Sequence, residues 1–208
     1  SQQNTAINEN SNTRAFVLGV DGNWEINPVT GGWSFVLNGG TPINDMWGMI
    51  TFNDSTGKKV SRWYYFDGRS TMATGWVYDS KNGNWYYMNT NEGPDLGQMV
   101  TGWVKDPKTS KWYYMNENTG ILKTGWHKDP QDGRWYYLNS NGEMLVGWQR
   151  IDGKWYYFNT NTPQNTYTWD ANAFKWSYLN NTVRPFGSMY AGEKTPDGYN
   201  VGANGVWY

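Results

Sequence analysis

The chain has 208 residues, with 15 Trp, 16 Tyr and 7 Phe set against 12 Val, 6 Ile and 7 Leu. Its formal net charge is −1, 17% of its residues are charged, and it has no cysteine. That balance excludes a Leu/Ile-cored enzyme domain, a coiled coil, a charged disordered chain, a disulfide framework and a basic nucleic-acid-binding face.

In chain order, residues 1–14 are polar, without a core-forming pattern, and are expected to be a tail or linker. The start SQQNTAINENSNT lacks the basic-then-apolar pattern of a secretory signal, and its first residue suggests a processed or excised fragment. No apolar run reaches the roughly 18 residues that a membrane-spanning helix needs. From residue 15 to 181 the tryptophans mark a repeat. One set falls at Trp24, Trp47, Trp76, Trp103, Trp126, Trp148 and Trp169, the other at Trp33, Trp63, Trp85, Trp112, Trp135, Trp155 and Trp176. Only Trp207 stands outside this scheme of seven units.

Each unit reads as a β-hairpin. Four first strands open on a Gly-Trp pair, Gly75-Trp76, Gly102-Trp103, Gly125-Trp126 and Gly147-Trp148. A polar turn follows, such as Asp106-Pro107 or Asp129-Pro130; proline presets its φ and a glycine or asparagine accepts the left-handed position. The second strand opens on the second tryptophan and reads Trp-Tyr-Tyr in five units, Trp-Ser-Phe or Trp-Ser-Tyr in the outer two. Side chains alternate faces along a strand. The second tryptophan therefore shares a face with the ring two places on (Phe35, Tyr65, Tyr87, Tyr114, Tyr137, Tyr157, Tyr178). The middle ring (Tyr64, Tyr86, Tyr113, Tyr136, Tyr156) points the other way, into the interior. A single hairpin is marginal in water, so stacking of neighbours must bury these faces. Residues 182–208 break the period and are expected to form a C-terminal cap. The 25 Gly and 25 Asn supply the many turns.

The runs TGWVKDPKTSKWYYMNENTGILKTGW (101–126) and TGWHKDPQDGRWYYLNSNGEMLVGW (124–148) resemble the choline-binding, or cell-wall-binding, repeat of Gram-positive surface proteins and lytic enzymes. The tail TPDGYNVGANGVWY (195–208) is similar to tails that close such arrays in clostridial-type proteins. The resemblance implies an all-β hairpin-repeat solenoid coiled as a left-handed superhelix. It also implies ligand cages between successive units, each built from two tryptophans of one hairpin, a tyrosine of the next and a methionine of the connecting turn.

Carried onto this chain, the fullest cage is Trp103, Trp112 and Tyr137 with Met144 as floor. Trp76, Trp85 and Tyr114 form a second, with Leu122 in the floor position. A third is Trp47, Trp63 and Tyr87 with Met99, its tryptophans unusually far apart in sequence. Trp126, Trp135 and Tyr157 lack a floor, because the next turn reads Asn161-Thr162-Pro163. Trp148, Trp155 and Tyr178 form a further one, and Trp24, Trp33 and Tyr65 the last. Core filling suits Met99 and Met144 as well as ligand contact does.

The implied function is a non-catalytic module that anchors a protein to a choline-decorated, teichoic-acid-type polymer of the cell envelope, hence an extracellular, wall-associated location. A quaternary ammonium offers no N–H, so ring faces recognise it better than hydrogen-bonding carboxylates do. A glucan- or host-glycan-binding array and a structural, self-associating stalk are the alternatives, and homo-oligomerisation would run through the terminal repeats. No cofactor, metal or nucleic acid is expected. His127 replaces Val77, Val104 and Gln149 at one repeat position and is expected on a strand surface. Asp79, Asp106 and Asp129 are expected to cap turns, without the clustered oxygens of a Ca²⁺ site.

Overall fold

The computed structural model describes residues 13–161, 167–170, 175–178 and 184–208, the two four-residue pieces as strand backbone. The strands are Thr13–Val17 (β1), Gly22–Ile26 (β2), Trp33–Leu37 (β3), Met46–Asn53 (β4), Lys59–Phe66 (β5), Gly75–Asp79 (β6), Asn84–Met88 (β7), Thr101–Lys105 (β8), Trp112–Met115 (β9), Gly125–Lys128 (β10), Trp135–Leu138 (β11), Gly147–Ile151 (β12), Lys154–Phe158 (β13), Tyr167–Asp170 (β14), Lys175–Tyr178 (β15), Glu193–Lys194 (β16) and Asn200–Val201 (β17). Among the described residues all regular structure is strand, and the sequence-adjacent pairs from β2–β3 to β16–β17 include the antiparallel hairpins that the alternating aromatic pattern requires. Two compact units share these strands. One holds residues 1–102, 115–122 and 172–174, the other 103–114, 123–171 and 175–208.

The register explains the tryptophan spacing. In β6–β7 Trp76 lies opposite Tyr87, in β10–β11 Trp126 opposite Tyr137, and in β12–β13 Trp148 opposite Tyr157. Two residues further along the same face, the second tryptophan pairs with Tyr78, Lys128 or Arg150. Every such hairpin thus carries both tryptophans and the third ring on one face. The opposite face carries the middle tyrosine.

In the first unit β1 adds to β4 in parallel, Thr13 opposite Trp47, so Thr13 and Arg14 of the expected tail are strand residues. The wider spacing of Trp47 and Trp63 reflects long strands, since β4 and β5 each run for eight residues. A polar loop closes them where Asp54 caps Thr56 and Lys58.

Each turn after a second strand docks on the hairpin before. The backbone N–H of Met72 donates to the carbonyl of Trp33, Met99 to Trp63 and Leu122 to Trp85 in the first unit. In the second unit Met144 donates to Trp112, Met189 to Trp135 and Trp207 to Trp155. The asparagine that ends each second strand shapes the turn, its Oδ1 accepting the N–H two residues on at Asn89, Asn116, Asn139 and Asn159. Beneath, each methionine rests on the glycine of the following turn. A Cβ on Gly97, Gly120, Gly187 or Gly205 would lie 2.3–2.5 Å from the sulfur of Met72, Met99, Met144 or Met189. All four glycines have positive φ, so both conformation and space demand glycine.

The seventh sequence unit departs from this order. Asn159 N–H bonds the carbonyl of Ser188, as Asn89 does that of Gln98 and Asn139 that of Glu143, so the turn bond that elsewhere closes after a few residues here joins positions far apart in sequence. Between those two positions lie β14 and β15, which pair with each other and join β8–β9 in a four-stranded sheet, order β14-β15-β8-β9. The stacking register resumes at Gly187-Ser188-Met189 and again at Gly205-Val206-Trp207. Residues 184–208 thereby continue the repeat in shortened form, with β16–β17 as its hairpin.

Candidate ligand-binding sites

Within each hairpin the first tryptophan meets the third ring edge-to-face, at 5.0 Å for Trp47–Tyr65 and Trp76–Tyr87, and at 5.1 Å for Trp103–Tyr114 and Trp126–Tyr137. From the following hairpin it is the middle tyrosine that closes on it. Trp24–Tyr64, Trp47–Tyr86, Trp103–Tyr136 and Trp126–Tyr156 lie 4.8–5.0 Å apart, again edge-to-face. The expected cages set the third ring of the next hairpin beside each tryptophan pair; the ring packing here joins the third ring to the first tryptophan of its own hairpin. Tyr137 packs on Trp126 and Tyr157 on Trp148, each with its own hairpin. Tyr87 and Tyr114 likewise pair with Trp76 and Trp103. The reason lies in the alternation itself: one face of a hairpin packs on the opposite face of its successor, and only the middle ring points there.

An aspartate of the next turn fixes the first indole. Trp47 Nε1 donates to Asp79 Oδ2 at 2.8 Å, and Trp103 Nε1 donates to Asp129 Oδ2. The other oxygen of each carboxylate caps its own turn, accepting from Lys81 N–H or Gln131 N–H. The turn-capping role expected for Asp79 and Asp129 is therefore half of what they do.

The second tryptophan divides the hairpins into two kinds. Trp63 and Trp112 are sealed, at 6% and 8% exposure. Trp63 packs with Trp47, Met88 and Met99, with Met49 and Ile121 alongside; Trp112 packs with Trp103, Tyr114 and Met144, with Val146 and Phe186 alongside. Met99 and Met144, expected as cage floors, are buried spine residues over Gly120 and Gly187. Trp103, Trp112 and Met144 are together, but as packed core, with Tyr137 on a different cluster.

By contrast Trp85 and Trp135 are 43% and 41% exposed. Each stands almost perpendicular to the first indole of its hairpin, Trp76–Trp85 at 6.4 Å and 83°, Trp126–Trp135 at 6.2 Å and 86°. The result is an open corner of two ring faces. Beside Trp135, whose cage was expected to lack a floor, the Met189 N–H donates to the Trp135 carbonyl while the Met189 side chain is buried over Gly205. The sequence signal for it was the recurring glycine two places before Met99, Leu122, Met144 and Met189.

Aromatic residues also line two cavities. In the first unit Trp24, Trp33, Tyr64 and Met72 enclose about 220 Å³ with the Gly93–Leu96 loop. In the second, Trp148 and Trp155 line about 410 Å³ with Asp197, Tyr199 and Trp207. Tyr199 stands at 5.8 Å from Trp148 and 6.4 Å from Trp207, each edge-to-face. The tail thus supplies what Tyr178 was expected to supply; the side chains of Tyr178, Trp169 and Trp176 lie outside the described residues.

His127, expected at a surface, is 3% exposed. Its ring lies 3.9 Å from that of Tyr114 and 5.6 Å from Trp103. Burial first, and the neighbouring Lys123 ammonium second, push its pKa down to about 4. Lys123 Nζ donates to Nδ1 at 3.1 Å, which leaves the ring proton on a buried, unpartnered Nε2. Among the described residues no group of acidic, histidine or cysteine side chains is arranged to hold a metal ion, and no helix is long and apolar enough to cross a membrane.

A hairpin array that seals some indole pairs and opens others at right angles is a repeat-built binding module. The choline-binding repeat model matches residues 55–94 and 123–165, and the putative cell wall binding repeat model matches residues 101–118. The chain belongs to the choline-binding repeat family. Among solved structures it is similar to CbpF, choline binding protein F of Streptococcus pneumoniae, in complex with ipratropium: 28% identity over 89% of this chain and 58% of that one, TM-score 0.53. It is also similar to CbpJ of Streptococcus pneumoniae, at 27% identity over 85% of this chain and 76% of that one, TM-score 0.51. A choline binding domain from the same organism is 33% identical over 52% of this chain and 95% of its own length, TM-score 0.33. The chain thus spans little more than half the length of CbpF. Comparison with curated proteins gives no match.

Proposed function

We propose that the chain is a non-catalytic binding module whose open indole corners take the trimethylammonium group of choline and so hold a larger protein on a choline-bearing polymer of the cell envelope, outside the cell. The observation that carries this reading is the near-perpendicular pair of half-open indoles at Trp76–Trp85 and Trp126–Trp135. Two ring faces at a right angle can both turn their negative quadrupoles to one cation, while the methyl groups pack on carbon. At about 0.5–2 kcal/mol per ring, two or three rings give a site of roughly millimolar affinity. Several weak sites on one polymer then hold firmly through effective concentration. CbpF and CbpJ support the same chemistry by family.

Calorimetric titration with choline tests it. Trp85→Ala and Trp135→Ala should each remove one site and leave the others. A chain that ignores choline up to about 100 mM, far above the roughly millimolar range of such sites, yet is retained on a glucan column, would replace this reading with the carbohydrate-binding one.

A further inference from the structure

The two hairpins with open corners differ in what lies behind the first indole. In β6–β7 the residue after Trp76 is Val77, opposite Tyr86; in β10–β11 the residue after Trp126 is His127, opposite Tyr136. Side chains alternate faces, so both residues point away from their corner, and both are buried. Val77 fills that place with carbon alone. His127 fills it with a ring that can take up a proton.

The groups that face this ring suit only its neutral form. From β9 the Tyr114 ring lies 3.9 Å away at 34°, from β8 the Trp103 ring at 5.6 Å, and from β11 the Tyr136 ring at 6.3 Å. From the turn between β9 and β10 the Lys123 ammonium donates to Nδ1, so Nδ1 is an acceptor and Nε2 carries the proton. Nε2 is buried without a partner. The turn between β10 and β11 brings two carboxylates, both held by other donors. Asp129 accepts from Trp103 Nε1 and from Gln131 N–H, and Asp132 accepts from the Tyr136 hydroxyl and from Arg134 N–H. A proton arriving at Nδ1 would displace the Lys123 ammonium and set two like charges side by side against packed rings. Relief requires the ring to turn out towards water. β10 is only four residues long, so that movement carries the adjoining Trp126, one wall of the corner with Trp135.

We propose that His127 is an acid-sensitive latch behind the Trp126–Trp135 corner, which keeps its ligand while the ring is neutral and releases it when the ring is protonated, whereas the Trp76–Trp85 corner, backed by Val77, keeps its ligand throughout. The ligand is that of the choline reading, on which this latch rests. Choline is a quaternary ion and indoles do not titrate, so the contact itself supplies no pH dependence. Burial first, and Lys123 second, hold the packed ring at a pKa of about 4, against an ordinary 6.5 for a ring turned out to water. The latch is therefore fully closed above about pH 6.5 and opens as the pH falls towards 4.

The indole N–H resonances of the whole chain read the two corners separately. Between pH 7 and pH 4.5 the choline affinity read at Trp126 and Trp135 should weaken several-fold, while that read at Trp76 and Trp85 stays constant. His127→Val should leave both corners unchanged at pH 7 and abolish the loss at pH 4.5. His127→Gln, which supplies the residue type of Gln149, should do the same and guards against a packing defect in the first variant. Asp132→Asn, which gives this turn the residue type of Asn82, should keep the loss. Equal weakening at both corners, constant affinity at both, or a loss that survives both His127 variants would each overturn the proposal. A chain whose two corners ignore choline at pH 7 would count against the choline reading instead. In that case the Trp126 resonance of the free chain should still move as His127 ionises while that of Trp76 does not, and a Trp126 resonance that stays still would overturn the latch as well.

Discussion

Tryptophan does two different jobs here, and its neighbours decide which. An indole boxed between the third ring of its own hairpin and the middle tyrosine of the next, with its N–H tied to an aspartate, is core; Trp103 is such a residue. Trp112→Ala should therefore cost about 3–5 kcal/mol of stability, as large-to-small changes in packed cores do, and leave the number of choline sites unchanged. Trp135→Ala should show the reverse, one site lost with a much smaller drop in denaturation midpoint. His127 belongs to the core group as well. Its pKa of about 4 lies below the ordinary 6.5, so the folded chain favours the neutral ring. Its contribution is complete above about pH 6.5 and is lost as the pH falls towards 4, where the unfolded chain takes up a proton that the folded chain refuses. His127→Val, which restores the residue found at Val77 and Val104, should shrink the fall in melting temperature between pH 7 and pH 4.5. A circular-dichroism melt at each pH reads this out, the remaining dependence coming from carboxylates.

At the scale of the hairpin, stacking rests on the glycine of each turn as much as on the rings. Gly133 has a φ of +68° and open space around it, so Gly133→Ala should cost only the backbone term, about 1–2 kcal/mol. Gly120 has a φ of +73° and also lies under the Met99 sulfur, so Gly120→Ala should cost more. In a double-mutant cycle, Met99→Ala with Gly120→Ala should destabilise by less than the sum of the single changes, because the smaller side chain removes the collision. The hairpins themselves were legible in the sequence, since tryptophan spacing and period-two alternation place strands and turns almost unaided. The partner face was not. Alternation says that Tyr136 and Tyr137 point opposite ways, but nothing within a hairpin says which face meets the neighbour. Nor does it say that Val146 and Phe186 pack on the cluster that holds Trp112 while Trp135 stays open, because those residues lie far away in sequence.

Across the whole chain, a contact network built mostly from neighbour to neighbour makes local order matter more than the count of repeats. The seventh tryptophan pair fits the sequence period and lies on β14 and β15, yet the stacking register passes over it from Asn159 to Ser188. Sequence period alone could not reveal this, for Trp169 and Trp176 carry the same spacing as Trp148 and Trp155; the decisive mark was Gly187-Ser188-Met189, a turn without its own tryptophans. Replacing residues 162–183 by a short Gly-Ser link should preserve cooperative unfolding and the choline response of Trp85 and Trp135. Collapse of either would show that β14–β15 is needed for the rest. The turn after a second strand closes the same backbone bond whether it brackets residues 140–142, 90–97 or 160–187. Such a bond works as a clasp: foreign peptides of very different lengths, inserted behind Asn139 or Asn116, should ride on the array as displayed cargo while the hairpins beneath keep their grip.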